Sequence, residues 1–187
     1  SAVRVPKVKG ISFVNRYSFV EKRYGDAGIK AVAKRLTPQV AEIFRAGSAA
    51  EWYPIPHLVE LDLAIVAEFN GGDLTAAQEL GRHNLEMSLG QVYRLVLRFL
   101  NPATLIERTP TLWSKIVDQG RLEARADGPN SAVVKLFDFK PPHEIYCQVL
   151  AGSIIGALRV CGAKAPVFEH SVCTLHGNDH LEYRFHW

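Results

Sequence analysis

The sequence predicts an α+β fold, with an N-terminal helical layer packed on a mainly antiparallel sheet of two hairpins separated by a buried helix. Three observations predict it. Apolar residues recur at helical spacing as far as Gly120, whereas period-two alternation starts only at Arg121 and falls in two blocks. Between the blocks lies a helical run that is apolar on most faces, with Ile145, Tyr146, Val149, Leu150, Ile154, Ile155 and Leu158. The chain has 187 residues, 48% of them hydrophobic, so a single domain spanning 1–187 with one substantial core is expected.

In chain order, Val8–Phe13 reads as a short strand, and Asn15 as the cap of a helix through Tyr17, Phe19, Val20 and Tyr24 that stops at Gly25. A second helix carries Ile29, Val32, Ala33 and Leu36. A third starts at Thr37 with Pro38 just inside it and ends at Gly47. Pro54 and Pro56 keep residues 48–56 extended, and a helix over about 57–69 follows. After Gly71-Gly72, Asp73 or Thr75 caps a long helical stretch to Phe99, with a break near Gly90 and a second half carrying Val92 and Tyr93. Asn101-Pro102 reads as a turn, and Thr109-Pro110 as the start of a helix holding Leu112, Trp113 and Ile116. Strands follow over Arg121–Asp127 and Ser131–Phe139. The buried helix then opens with Pro142 in its first turn, and its Gly152 and Gly156 share one face, where close approach of another backbone is expected. The last hairpin, near 166–175 and 180–187, ends with Leu181, Tyr183, Phe185 and Trp187 on one face and Glu182, Arg184 and His186 on the other.

Composition narrows the function classes. Twenty-two Lys and Arg against 19 Asp and Glu give a net charge of +3, and the basic residues are spread along the chain, so no nucleic-acid partner is expected. Three cysteines, an odd number, argue against a disulfide framework and for a reducing compartment. No run of apolar residues is long enough for a membrane span, and no charged-then-apolar leader opens the sequence, so a cytoplasmic protein is expected. Phosphate loops, nucleophile elbows and His-Glu-x-x-His motifs are absent. No catalytic residue is therefore assigned.

Two sets of residues remain as sites. Trp52, Tyr53, Tyr93, Phe99 and Trp113 line either plain core or a pocket between helices and sheet that takes a small hydrophobic molecule. Cys147, His170 and Cys173 read either as small buried groups with a turn histidine or as zinc ligands, the fourth coming from His180 or water. A Cys173 nucleophile paired with His170 or His176 is the enzymatic variant of the same cluster.

Several short motifs then carry a resemblance over nearly the whole chain. In order they are Trp52-Tyr53-Pro54, Leu80-Gly81-Arg82, Thr109-Pro110-x-Leu112-Trp113, Cys147 leading into Gly152-x-x-x-Gly156, Cys173-x-x-x-Gly177 and the terminal Tyr183-x-Phe185-x-Trp187. Together they resemble a paralogous family expanded in myxobacteria. That family looks like a relative of vinyl-4-reductase-type domains, which share a fold with the small subunits of the TRAPP vesicle-tethering complex and with haem nitric-oxide-binding domains. The resemblance implies a homodimer and a hydrophobic pocket for a small molecule or acyl chain. In sensory members of the wider group a structural zinc is held by Cys, Glu, Cys and Cys. The matching positions here are Cys147, His170, Cys173 and Leu181, so a histidine replaces the carboxylate and the fourth position has no ligand atom. The sequence shows no convincing counterpart of that group's haem proximal His and Tyr-x-Ser-x-Arg pattern.

The function expected is a non-catalytic cytoplasmic sensory or regulatory module with a small apolar ligand in that pocket. The alternative is a protein-interaction scaffold resembling the tethering subunits, its core packed solid by Trp52, Tyr93 and Trp113. A third reading is a metal- or thiol-dependent enzyme.

Overall fold

A computed structural model describes residues 4–89 and 95–187, and its elements follow the expected order, helices first and the main sheet after them. β1 (Lys7–Lys9) is shorter than the expected strand, because the chain turns at Gly10 against the Ser48 carbonyl, where a side chain would overlap. It pairs antiparallel with β2 (Trp52–Pro54), Val8 opposite Tyr53. α1 (Ile11–Ala33) covers both of the first two expected helices, and Gly25, at φ +63°, makes a kink between its halves. Asn15 is not a cap. It is buried within α1, donating from Nδ2 to Asn84 Oδ1 (2.9 Å) and Ser88 Oγ (3.0 Å).

α2 (Pro38–Ala46) begins and ends as expected, but the Thr37 side chain makes no cap bond; its amide donates to Glu60 at 2.6 Å. α3 (Ile55–Phe69) starts earlier than 57, since Pro56 stands in the first turn, where its missing N–H has no helical partner to lose. Asp73 caps a short 3₁₀ turn, accepting from Thr75 N at 3.0 Å, and α4 (Ala77–Ser88) follows. The expected break near Gly90, with Val92 and Tyr93, lies outside the described residues.

α5 (Pro102–Ile116) corrects the reading of Asn101-Pro102 as a turn and of Thr109-Pro110 as a helix start. Asn101 caps it, accepting from Thr104 N at 2.8 Å. Pro110 lies in mid-helix, and the Ile106 carbonyl that its ring cannot serve is taken by the Thr109 hydroxyl at 2.6 Å.

β3 (Arg121–Gly128), β4 (Ser131–Phe137), β5 (Val167–Val172) and β6 (His180–His186) form one antiparallel sheet in the order β3-β4-β6-β5. The two expected hairpins therefore join edge to edge through β4 and β6, with Val134 opposite Tyr183 and Leu136 opposite Leu181. α6 (Glu144–Val160) is the expected buried helix, though Pro142 precedes it and His143 caps it, Nδ1 accepting from Ile145 N at 3.1 Å. Tyr183 ties it to the sheet by donating to the Cys147 carbonyl at 3.1 Å. On its other side α6 meets α4 backbone to backbone. A Cβ at Gly152 would overlap the Gln78 carbonyl, and one at Gly81 the Val149 carbonyl.

The core is continuous from helices to sheet, with Phe13, Val20, Leu61, Ile145, Tyr183 and Phe185 all buried. Inside it, Arg16 of α1 and Asp62 of α3 form a two-pronged pair, Nε to Oδ1 at 2.8 Å and Nη2 to Oδ2 at 3.0 Å. No helix among the described residues is long and apolar enough to cross a membrane.

His83, on α4, packs edge-on against Phe19 at 5.4 Å with its Nε2 buried and unpartnered. Burial, then the charge of Lys22, lowers its pKa below the ordinary 6.5. Because the folded pKa is depressed, the unfolded chain protonates first as pH falls. Stability is thus complete above about pH 6.5 and declines below it. The urea midpoint should fall between about pH 7.5 and about pH 5, less steeply in His83→Gln. An equal slope in the variant would assign the decline to other groups.

Candidate functional site

A cavity of about 690 Å³ opens between the helices and the sheet. α5 gives it Leu105, Leu112, Trp113 and Ile116, and α6 gives it Val149, Leu150, Ile154 and Ala157. Both helices turn an apolar stripe inward, and the space between the stripes is left unfilled. Leu58 of α3, Leu85 of α4 and Leu122 of β3 close it, with Val96, Leu97 and Leu100 from the connection before α5. Its polar lining is sparse: Ser12 and Arg16 from α1, Asn84 from α4, Arg108, Thr109, Thr111 and Lys115 from α5, and Tyr146 and Ser153 from α6.

Of the aromatic residues expected to line a pocket, Trp113 is in the wall. It is buried, sits edge-on to Phe139 at 5.3 Å, and donates its indole N–H to Gln119 O at 3.0 Å. Trp52 and Tyr53 lie elsewhere, in the small β1–β2 pair. Trp52 is 37% exposed beneath the Lys9 ammonium, and the Tyr53 ring packs on Phe13 while its hydroxyl accepts from Ser48 N and donates to Glu51. Phe99 is 84% exposed and is not part of the wall, and Tyr93 lies outside the described residues. Arg16, Ser12 and Tyr146 were not singled out from the sequence, yet they are the buried polar groups of the cavity.

The haem that the resemblance raises does not fit this lining. Among the described residues the wall contains no His, Cys or Met to ligate iron. Tyr146 is no substitute, since burial raises its pKa far above the ordinary range and keeps the phenol protonated.

The second cluster is one the structure does assemble. Cys147 comes from the first turn of α6, His170 from β5, and Cys173 from the 3₁₀ turn after it. Their donor atoms lie within 4.8 Å of one another, against about 3.5–3.8 Å around a tetrahedral zinc. The His170 ring stacks on Tyr183 at 4.1 Å, and its Nδ1 bonds the Glu182 carbonyl at 2.9 Å. That bond places the proton on Nδ1 and leaves Nε2 as a lone pair, buried and without a partner. Burial lowers the His170 pKa, favouring the neutral ligand form. Burial, and then the neighbouring Cys173, pushes the Cys147 thiol up to about 12, so without a metal that thiol stays protonated and is a poor nucleophile. Leu181, fully buried on β6, offers no ligand atom. The set of two sulfurs and one imidazole suits zinc, with Cys147, His170 and Cys173 as the residues that would hold it.

No family model and no curated protein matches the chain. Solved structures do match, over nearly all of it. An H-NOX protein from S. oneidensis in the Fe(II)NO ligation state is 16% identical with a TM-score of 0.73, covering 95% of this chain and 97% of that one. The same organism's SO2144 H-NOX domain in the Fe(II)CO state gives 15% and 0.72 over 95% and 97%. The Fe(II) unliganded H-NOX protein from K. algicida gives 10% and 0.69 over 95% of each chain. At these identities the likeness is one of architecture: the chain has the haem nitric-oxide-binding fold.

Proposed function

We propose that this protein is a non-catalytic sensory or regulatory module whose cavity binds a small apolar ligand and not a haem iron. The observation that carries the reading is the 690 Å³ apolar cavity, lined without a described iron ligand, in a fold whose solved neighbours include H-NOX proteins. A volume of that size suits a drug-sized molecule, whereas a purely scaffolding module needs no such space. A homodimer, a cytoplasmic location and the narrower kinship with vinyl-4-reductase-type domains belong to the same proposal and rest on motif order and composition. Native mass spectrometry followed by denaturation tests it. An organic mass lost on denaturation is expected, while a bare chain that also takes up no apolar compound would sink it. Haemin added to the protein should give no spectrum of axially ligated iron; a sharp histidine- or tyrosinate-ligated Soret band would restore the haem reading.

We further propose that Cys147, His170 and Cys173 hold a structural zinc ion, supported by the unpartnered His170 Nε2 beside two thiols. The ion's charge would make the thiols thiolates and tie α6 to the sheet. About one zinc per chain is expected by elemental analysis, and Cys173→Ser should weaken it more than about 100-fold. Protein refolded with zinc that retains none would remove this assignment.

A further inference from the structure

The ligand cavity holds one charged group whose bonding is incomplete. Arg16 is 1% exposed at the side chain, and its Nε and Nη2 are both engaged by Asp62, yet Nη1 is buried with no acceptor among the described residues. A buried donor on a charged group left without a partner carries a larger desolvation cost than a neutral one, so such donors are rarely left open without a reason. Asp62 also fixes the plane of the guanidinium, which points Nη1 in one direction before any ligand arrives. Two hydroxyls, on Ser12 and Tyr146, line the same cavity as Arg16.

The sign of the complementary group follows from the rest of the wall. Its charged residues are Arg16, Arg108 and Lys115, and among the described residues no Asp or Glu lines it. The other described residues that line the space are apolar or neutral. A neutral hydrocarbon would leave Nη1 open, and an ammonium group would meet only cations.

Building on the apolar-ligand reading above, we infer that the cavity takes an apolar carboxylic acid, one of whose carboxylate oxygens accepts from Arg16 Nη1, with the Ser12 and Tyr146 hydroxyls as neighbouring donors. The hydrocarbon part lies against the leucines of α5 and α6. Arg16 is thus at once a core residue and the anchor of the ligand.

Calorimetric titration with four probes of one chain length tests this: dodecanoate, methyl dodecanoate, dodecanol and dodecylamine, each below its micellar concentration. Dodecanoate should bind about tenfold or more tighter than the other three, as expected for a charge-assisted bond to a buried donor. The double variant Arg16→Met/Asp62→Leu, which removes the pair together and leaves no lone charge, should lose that preference, binding dodecanoate no tighter than methyl dodecanoate. If it does not fold, Tyr146→Phe and Ser12→Ala serve, each reducing the preference for dodecanoate by about threefold or more. Equal binding of all four probes, or a preference that survives in every variant, overturns the head-group assignment and leaves the apolar pocket standing. Binding of none of the four removes both.

Discussion

Arg16→Met should lower the unfolding free energy by about 3–5 kcal/mol, among the largest effects of any single side-chain change in this core. The loss does not measure the attraction between Arg16 and Asp62. It measures what remains after one partner goes: an Asp62 carboxylate at 0% exposure with its two guanidinium bonds removed. Asp62→Leu should cost as much for the converse reason, with the guanidinium stranded. The double variant Arg16→Met/Asp62→Leu should recover most of either loss, because a buried ion pair replaced by apolar groups of similar volume is often neutral or stabilising. Urea unfolding of the four proteins closes the cycle. Additive single losses in the double variant would mean that the two charges are not each other's main support.

That pair also marks where the sequence was legible and where it was not. In α1 the buried stripe runs Phe13, Arg16, Val20, and in α3 it runs Leu58, Asp62, Ile65. Each helix thus sets one charge, of opposite sign, at a position where its period demands an apolar residue. The signal was in the spacing, but pairing two such interruptions requires knowing that the helices touch. The β6 alternation needed no such knowledge, since Leu181, Tyr183 and Phe185 announce their buried face by period alone. Proline misled in both directions. Pro56 reads as a barrier and Pro110 as a helix start, yet the first sits in a first turn and the second lies in mid-helix, where the Thr109 hydroxyl takes the freed carbonyl.

The two candidate sites differ in the same way. Cys147, His170 and Cys173 were named together because few residue types bind zinc and the motif order aligned them; the fold brings them within reach of one ion. The aromatic set had no such chemical restriction. A large ring serves equally well in a wall, like Trp113, under a lysine, like Trp52, or at the surface, like Phe99, and periodicity cannot tell these apart. Cavities are defined by what the packing leaves out, which is a property of several elements at once.

The seam that roofs the cavity gives the second large effect. In an exposed helix, Gly→Ala gains up to about 1 kcal/mol from propensity alone. Gly152→Ala and Gly81→Ala should do the opposite, destabilising by about 1–3 kcal/mol or more, because each new methyl would overlap a backbone carbonyl of the facing helix. A backbone oxygen cannot rotate away, so α4 and α6 must separate, stretching the bond from the Ser153 hydroxyl to Gly81 O, now 3.1 Å. Gly156→Ala is the control on the same face. Its nearest neighbour is the Arg82 side chain at 3.1 Å, which can move, so the propensity gain should survive. Thermal unfolding of the three variants should therefore give two losses and one neutral or stabilising change; three equal shifts would contradict the close seam. Because Asn84 and Leu85 lie on α4 and Val149 and Ser153 on α6, the separation also widens the cavity. Gly152→Ala, if it folds, should bind an apolar probe more weakly than Gly156→Ala does, which links the glycine pattern seen in the sequence to the site it shapes.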